Sequence, residues 1–206
     1  MSTKVITITR QFGSLGRPIG KVVAETMGFE YFDRDIIEKA ADEMGEPVDT
    51  LSDFDERMLS NYGRMMFPLG NGLQSKQRRL FEVEKKVILN LANGHDCVII
   101  GRCSDYILHE AGMQNVYSVF IYAPYTSRFN NCLRTLGLTP EAAEVYIDKV
   151  DAAREKYYGE YTGEKFESLK YRDLMLNSSA LPLEDSVKIL CEGARLKFAQ
   201  AAECIN

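Results

Sequence analysis

The residues with the clearest chemical use follow the short run Lys4-Val-Ile-Thr-Ile-Thr. There the chain reads Gln11-Phe12-Gly13-Ser14-Leu15-Gly16-Arg17-Pro18 and then resumes with helical spacing. Glycines between a strand and a helix let backbone N–H groups close on phosphate oxygens, and the helix N-terminus adds positive partial charge. Gly13, Ser14, Leu15, Gly16 and Arg17 are therefore candidates for an anion cradle, with Arg17 adding a cation. A tight turn with no ligand would use the same glycines. So would a dinucleotide-binding loop, which wants an acid about 20 residues later. Asp33 and Asp35 stand there, but Gly13-Ser14-Leu15-Gly16 does not match GxGxxG.

Two further stretches could bring charge to the same place. Gly101-Arg102-Cys103-Ser104-Asp105 and Ala123-Pro124-Tyr125-Thr126-Ser127-Arg128 each follow an apolar run. Ligands of open α/β sheets gather at the carboxyl ends of strands. Arg102 and Arg128 would then point into one crevice, although each alone reads equally well as a surface arginine. Later in the chain, Asp151 and Arg154 lie three apart on a helical stretch and share a face with Asp148. Such a pair is usually solvated and worth little. The sharper reading places Arg154 over a transferring phosphoryl group, a reaction that needs positioning and positive charge more than a histidine. The only histidines are His95 and His109, and neither has a ligand-like neighbour.

The elements that must hold these residues are legible from periodicity. Strand patterns occur at 4–9, 29–32, 97–100 and 116–122, with a weaker one at 173–177. Helical patterns cover 18–27, 77–93 and 183–202, and Thr139-Pro140-Glu141 reads as a helix start with an N-cap, Pro at N1 and an acid in the first turn. Alternating strands and helices predict an α/β domain with a parallel sheet. Residues 1–206 read as one domain. Residues 44–76, with mixed polarity and Pro47, Pro68 and Gly70-Asn71-Gly72, read as a helical insertion, and 148–171 as a lid. Within the lid, 155–171 reads as a lid loop, and Tyr157 to Lys170 is expected to be mobile without ligand because it has few aliphatic anchors.

Composition narrows the classes. The 206 residues are 45% apolar and 27% charged, ordinary for a globular chain that buries its own core. A net charge of -5 argues against a nucleic-acid partner. Five cysteines in no CxxC pair argue against a disulfide framework or zinc site and favour reduced thiols. No apolar run approaches a membrane span. A cytoplasmic protein acting on small molecules is the expectation, with oligomeric state left open.

The stretches "TITRQFGSLGRPIGKVVAETMGFEYFDRDII", "CVIIGRCSDYIL", "VFIYAPYTSR" and "DKVDAAREKYYGEYTG" together resemble the cytidylate kinase-like family of P-loop nucleoside monophosphate kinases. The resemblance implies a five-stranded parallel sheet in the order 2-3-1-4-5, flanked by helices, with a nucleoside-monophosphate-binding insertion and a lid. It implies ATP as donor, Mg2+, and CMP or dCMP as acceptor. By the same resemblance Arg17, Arg128 and Arg154 are expected in catalysis. Asp33, Arg102, Asp105 and Asp151 are expected on the substrate side, and Ser14 or Asp33 at the metal. Two alternatives stand beside it: a non-catalytic nucleotide-binding protein with a degenerate loop, and a dinucleotide-dependent oxidoreductase.

The loop departs from the usual Gly-Lys-Ser/Thr ending. Arg17 takes the lysine position, Pro18 removes the hydroxyl that would meet magnesium, and Gln11 replaces the first glycine. A guanidinium can bridge two phosphate oxygens where an ammonium is a point charge. If Arg17 grips the donor, Arg17→Lys retains ATP affinity better than Arg17→Ala in calorimetric titration. Wild-type affinity in both variants would leave the loop as only a turn.

Overall fold

The computed structural model describes residues 3–33 and 74–203. The expected insertion at 44–76 lies outside the described residues apart from its last three. Its elements are β1 (Val5–Arg10), α1 (Gly16–Met27), β2 (Glu30–Phe32), α2 (Gln74–Gly94), β3 (Cys97–Ile100), α3 (Ser104–Glu110), β4 (Val116–Tyr122), α4 (Tyr125–Thr135), α5 (Pro140–Thr162), β5 (Leu174–Asn177) and α6 (Leu183–Glu203). The strands form one sheet in the order β2-β3-β1-β4-β5. Every pairing is parallel.

β1 is buried along its whole length because it is the central strand and has helices over both faces. Its side chains alternate. Ile6 and Ile8 pack with Ile19 and Val23 of α1 and with Leu190 and Ala194 of α6. Val5 faces the other layer, with Val87 and Ile88 of α2 and Ile107 of α3. Thr7 bridges to Ser118 of β4 at 3.1 Å, which satisfies a hydroxyl that the core would otherwise strand. The register pairs Val5 with both Cys97 and Val116, so β1, β3 and β4 begin together at one edge of the sheet. Consequently the ends of β1 and β3 also lie close together.

This order excludes the dinucleotide-binding alternative. In that fold β2 lies beside β1. Here β3 is inserted between them.

The expected strands and long helices are present, and Thr139 caps α5 by accepting from the Ala142 amide. Sequence periodicity had not marked α3 and α4. The stretch after Glu155 also differs from expectation. Residues 155–162 continue α5 as helix, and the segment is anchored by rings instead of aliphatic side chains. Tyr158, Phe166 and Tyr171 are buried in the same core cluster as Phe120. Phe166 meets Phe120 and Tyr158 edge-on at centroid distances of 5.4 and 5.8 Å. The loosely held loop expected there is instead seated on the sheet.

Asp105 also departs from its expected role. Its side chain and that of Arg172 are each 1% exposed and form an ion pair beneath this aromatic layer. Thr9 Oγ1 and Tyr158 Oη donate to Oδ2, and the Tyr106 amide donates to Oδ1. Burial lowers the Arg172 guanidinium to about 10. Asp105 is thus a buried anchor joining β1, α3, α5 and the segment before β5, and is not placed to meet a substrate. Removing one partner of such a pair leaves an uncompensated buried charge. Asp105→Ala is expected to cost about 3–5 kcal/mol in urea unfolding of the ligand-free protein. An unchanged unfolding midpoint would return Asp105 to the substrate side.

Candidate functional site

The loop from Gln11 to Leu15 joins the end of β1 to the start of α1. Its polarity is set by what happens to its carbonyls. The Arg10 carbonyl accepts from Arg154, and the Gln11 carbonyl from the Ser14 hydroxyl. Phe12 O accepts from Arg128, Gly13 O from Asn131, Ser14 O from Ser178 and Leu15 O from the Ile19 amide. Six consecutive carbonyls are therefore tied to donors of the protein. Leu15 stands at the helix N-cap with φ 60° and provides no side-chain cap. The start of α1 thus offers its amide dipoles to an outside acceptor, which is the requirement for binding an anion.

Asp151 on α5 holds this loop in place. Its Oδ1 accepts from the Phe12 amide at 2.7 Å and its Oδ2 from Arg128 at 2.5 Å. Arg154 lies 3.7 Å from Oδ1 and stacks over the Phe12 ring at 5.9 Å. Burial pushes the Asp151 carboxyl upward, opposed by Arg154, the Phe12 amide and Arg128. Arg128 also directs Nε to the Ala123 carbonyl and Nη1 to the Phe12 carbonyl. The structure thus corrects the expected roles of two residues. Arg128 is turned behind the loop and not into the crevice, and Asp151 is occupied by the loop and its two arginines. Both act as positioning residues.

On the crevice side, Arg17 donates to Asp33 at 2.8 Å. Tyr31 of β2 adjoins this pair, its phenol pushed to about 12 by burial and the Asp33 charge against the opposing pull of Arg17. Arg102 pairs with Glu84 of α2 at 3.0 Å, and Tyr157 donates to the same carboxylate at 2.6 Å. Arg102 and Cys103 both take left-handed backbone, with φ 56° and 53°. Each such residue costs about 1–3 kcal/mol and tends to occur at functional sites.

Sequence reading missed two members of this site. Glu84 is 1% exposed on the apolar face of α2 and holds Arg102 in place. Arg10, the last residue of β1, was read as the end of a strand. Its side chain runs over Gly16, where a Cβ would lie 2.7 Å from the Arg10 Cβ, and across to Gly101, where a Cβ would collide with Nη1. Burial, then Arg154 and Arg17, and less strongly Arg102, pull the Arg10 guanidinium well below the usual arginine range. Three cations therefore converge around Arg10, and of the expected arginines only Arg128 stands apart. The available signal was a charged residue ending a buried strand just before a glycine loop.

The residues expected at magnesium do not fit that role. Ser14 is fully buried, with its hydroxyl directed at the Gln11 and Ile121 carbonyls. Asp33 gives its carboxylate to Arg17. No group of three or more His, Cys, Asp or Glu side chains that could hold a metal occurs among the described residues. Among them also, no helix is long and apolar enough to cross a membrane.

A five-stranded parallel sheet, an anion-directed loop after its central strand and arginines at the strand ends define a P-loop kinase-type fold. Solved structures agree. An uncharacterized protein from Eubacterium ventriosum superposes with a TM-score of 0.71 at 17% identity, covering 94% of this chain and 99% of its own. Shikimate kinase from Bacteroides thetaiotaomicron gives 0.52 at 16%, covering 92% and 96%. A sugar kinase from Janibacter gives 0.51 at 16%, covering 98% of each chain. No curated protein matches the sequence. The cytidylate kinase-like family matches residues 5–180, and the chain belongs to that family.

A test of the Arg128 assignment follows. Lysine cannot reach the Ala123 carbonyl, the Phe12 carbonyl and Asp151 together. Arg128→Lys should lower the stability of the ligand-free protein by about 1.5–3 kcal/mol in denaturant titration, the usual size for hydrogen bonds to charged groups. A residue that only contacts substrate would leave that stability unchanged.

Proposed function

We propose that this protein is a phosphotransferase that moves a phosphoryl group from ATP to a nucleoside monophosphate, CMP or dCMP in the first instance. The observation that carries the reading is the pairing of a donor-only loop with arginines gathered at the adjacent strand ends. Phosphoryl transfer needs little covalent chemistry from a protein; alignment of donor and acceptor and stabilisation of spread negative charge suffice. In this reading the amides of Gly13 and of Leu15 to Arg17 hold the donor phosphates. Arg17, fixed by Asp33, supplies a cation beside them. Arg154 and Arg102 sit where charge develops between donor and acceptor. Asp151 and Arg128 keep the loop in its binding shape before ligand arrives. The acceptor phosphate carries its own nucleophilic oxygen, so no side chain has to take a proton from it. The family match supports the pyrimidine acceptor, and the absence of a membrane-crossing helix among the described residues is compatible with the cytoplasm as its compartment.

One observation favours a second reading, in which the protein binds nucleotide without turnover. Pro18 lacks a hydroxyl and the Ser14 hydroxyl is turned inward, so the loop provides no side-chain oxygen for a metal beside the phosphates. A coupled assay of ADP release, run across the nucleoside monophosphates with ATP and Mg2+, separates the two. The kinase reading expects turnover with CMP or dCMP above that with AMP, GMP and UMP. ATP binding by calorimetry with no ADP release for any acceptor would establish the binding reading instead.

A further inference from the structure

Arg10 is a nearly buried cation gathered with three others. Its residue is 8% exposed, and it sits at the carboxyl end of the central strand. Gly16 and Gly101 leave room for its side chain, and no larger residue at either place would do so. Its backbone carbonyl is taken by Arg154. Among the described residues no carboxylate or carbonyl accepts a hydrogen bond from its guanidinium, and the strongest charges acting on it are other arginines. Crowding a mostly buried guanidinium among like charges with no carboxylate beside it destabilises a fold. A fold that makes space for such a group at two glycines has a site that is completed by an anion.

We infer that Arg10 is the seat for the phosphoryl group of the acceptor, a phosphomonoester dianion held apart from the donor phosphates. This rests on the proposed kinase reading. Direction separates the two anions. The loop amides face the start of α1, whereas the Arg10 guanidinium leaves the loop sideways and reaches the end of β3 at Gly101. Charge selects the class. A phosphomonoester offers three oxygens and two negative charges, which suits a guanidinium flanked by further arginines better than a single carboxylate does. Arg10 would thus favour phosphorylated acceptors over carboxylic acids or neutral sugars.

The experiment compares wild type, Arg10→Met and Arg10→Lys by thermal unfolding and calorimetric titration. Without ligand, Arg10→Met should unfold at a higher temperature than wild type, because it removes an unpaired buried charge while keeping volume. With the loop filled by a non-hydrolysable ATP analogue, CMP and inorganic phosphate should each stabilise wild type and fail to stabilise Arg10→Met. The CMP dissociation constant should rise about 10- to 100-fold, the size of a lost charged hydrogen bond. The ATP analogue should bind all three proteins alike, and Arg10→Lys should fall between the others. A ligand-free Arg10→Met that is less stable than wild type would make Arg10 a structural residue and overturn the inference. So would equal stabilisation of both proteins by CMP and phosphate, or loss of the ATP analogue alone. If wild type answers phosphate but ignores CMP, and Arg10→Met answers neither, the seat stands and the pyrimidine reading falls. If the analogue binds none of the proteins, the donor reading falls, and phosphate titration of the free proteins still reads the seat.

Discussion

The Asp151 carboxylate ties the loop after β1 to a helix 139 residues further along the chain. One oxygen takes the Phe12 amide and the other takes Arg128, whose further donors hold the Phe12 and Ala123 carbonyls. Without that carboxylate, the Phe12 amide would lose its acceptor and two arginines would face each other behind the loop. Because Asp151 and Arg154 lie three apart on α5, a single helix face supplies both the anion that fixes the Phe12 amide and a cation that holds the Arg10 carbonyl. The rest of the site depends on this contact, since an anion cradle works only if its amides are fixed before the ligand arrives.

The same economy explains why the arginines are not interchangeable. Arg128 turns Nε and Nη1 to the protein, Arg17 pairs with Asp33 and Arg102 with Glu84, and Arg10 is steered by glycine gaps. A carboxylate partner orients a guanidinium and offsets the repulsion among neighbours. Asp33 and Glu84 are thereby as much a part of the crevice as the cations they hold.

What the sequence reveals of this follows from range. Strands β1, β3 and β4 are short runs buried on both faces, and their composition alone marks them. Residues 155–162 were misjudged because tyrosine and glycine suggest a loop locally, while the rings at 158, 166 and 171 acquire their role only against Phe120 across the chain. In the site, Arg17, Arg102 and Arg154 could be gathered because each follows a recognisable strand end or helical spacing. Asp105 and Arg128 could not be assigned correctly, since inward and outward orientations of a side chain at a strand end look the same in sequence. Arg10 was invisible for a related reason: its path depends on missing side chains at Gly16 and Gly101, which are far apart in the chain.

The strand order has a consequence for how the chain is made. β1 emerges during synthesis before the other described strands, yet both of its partners, β3 and β4, are encoded about a hundred residues later. Until then a strand of valine, isoleucine and threonine has two unpaired edges, the kind of segment that invites association with other chains. Of the described elements between it and β3, the one strand, β2, does not hydrogen bond to it in the finished sheet. The central strand must therefore wait, and the closing of this long loop sets a lower limit on how early the nascent protein can acquire its nucleus.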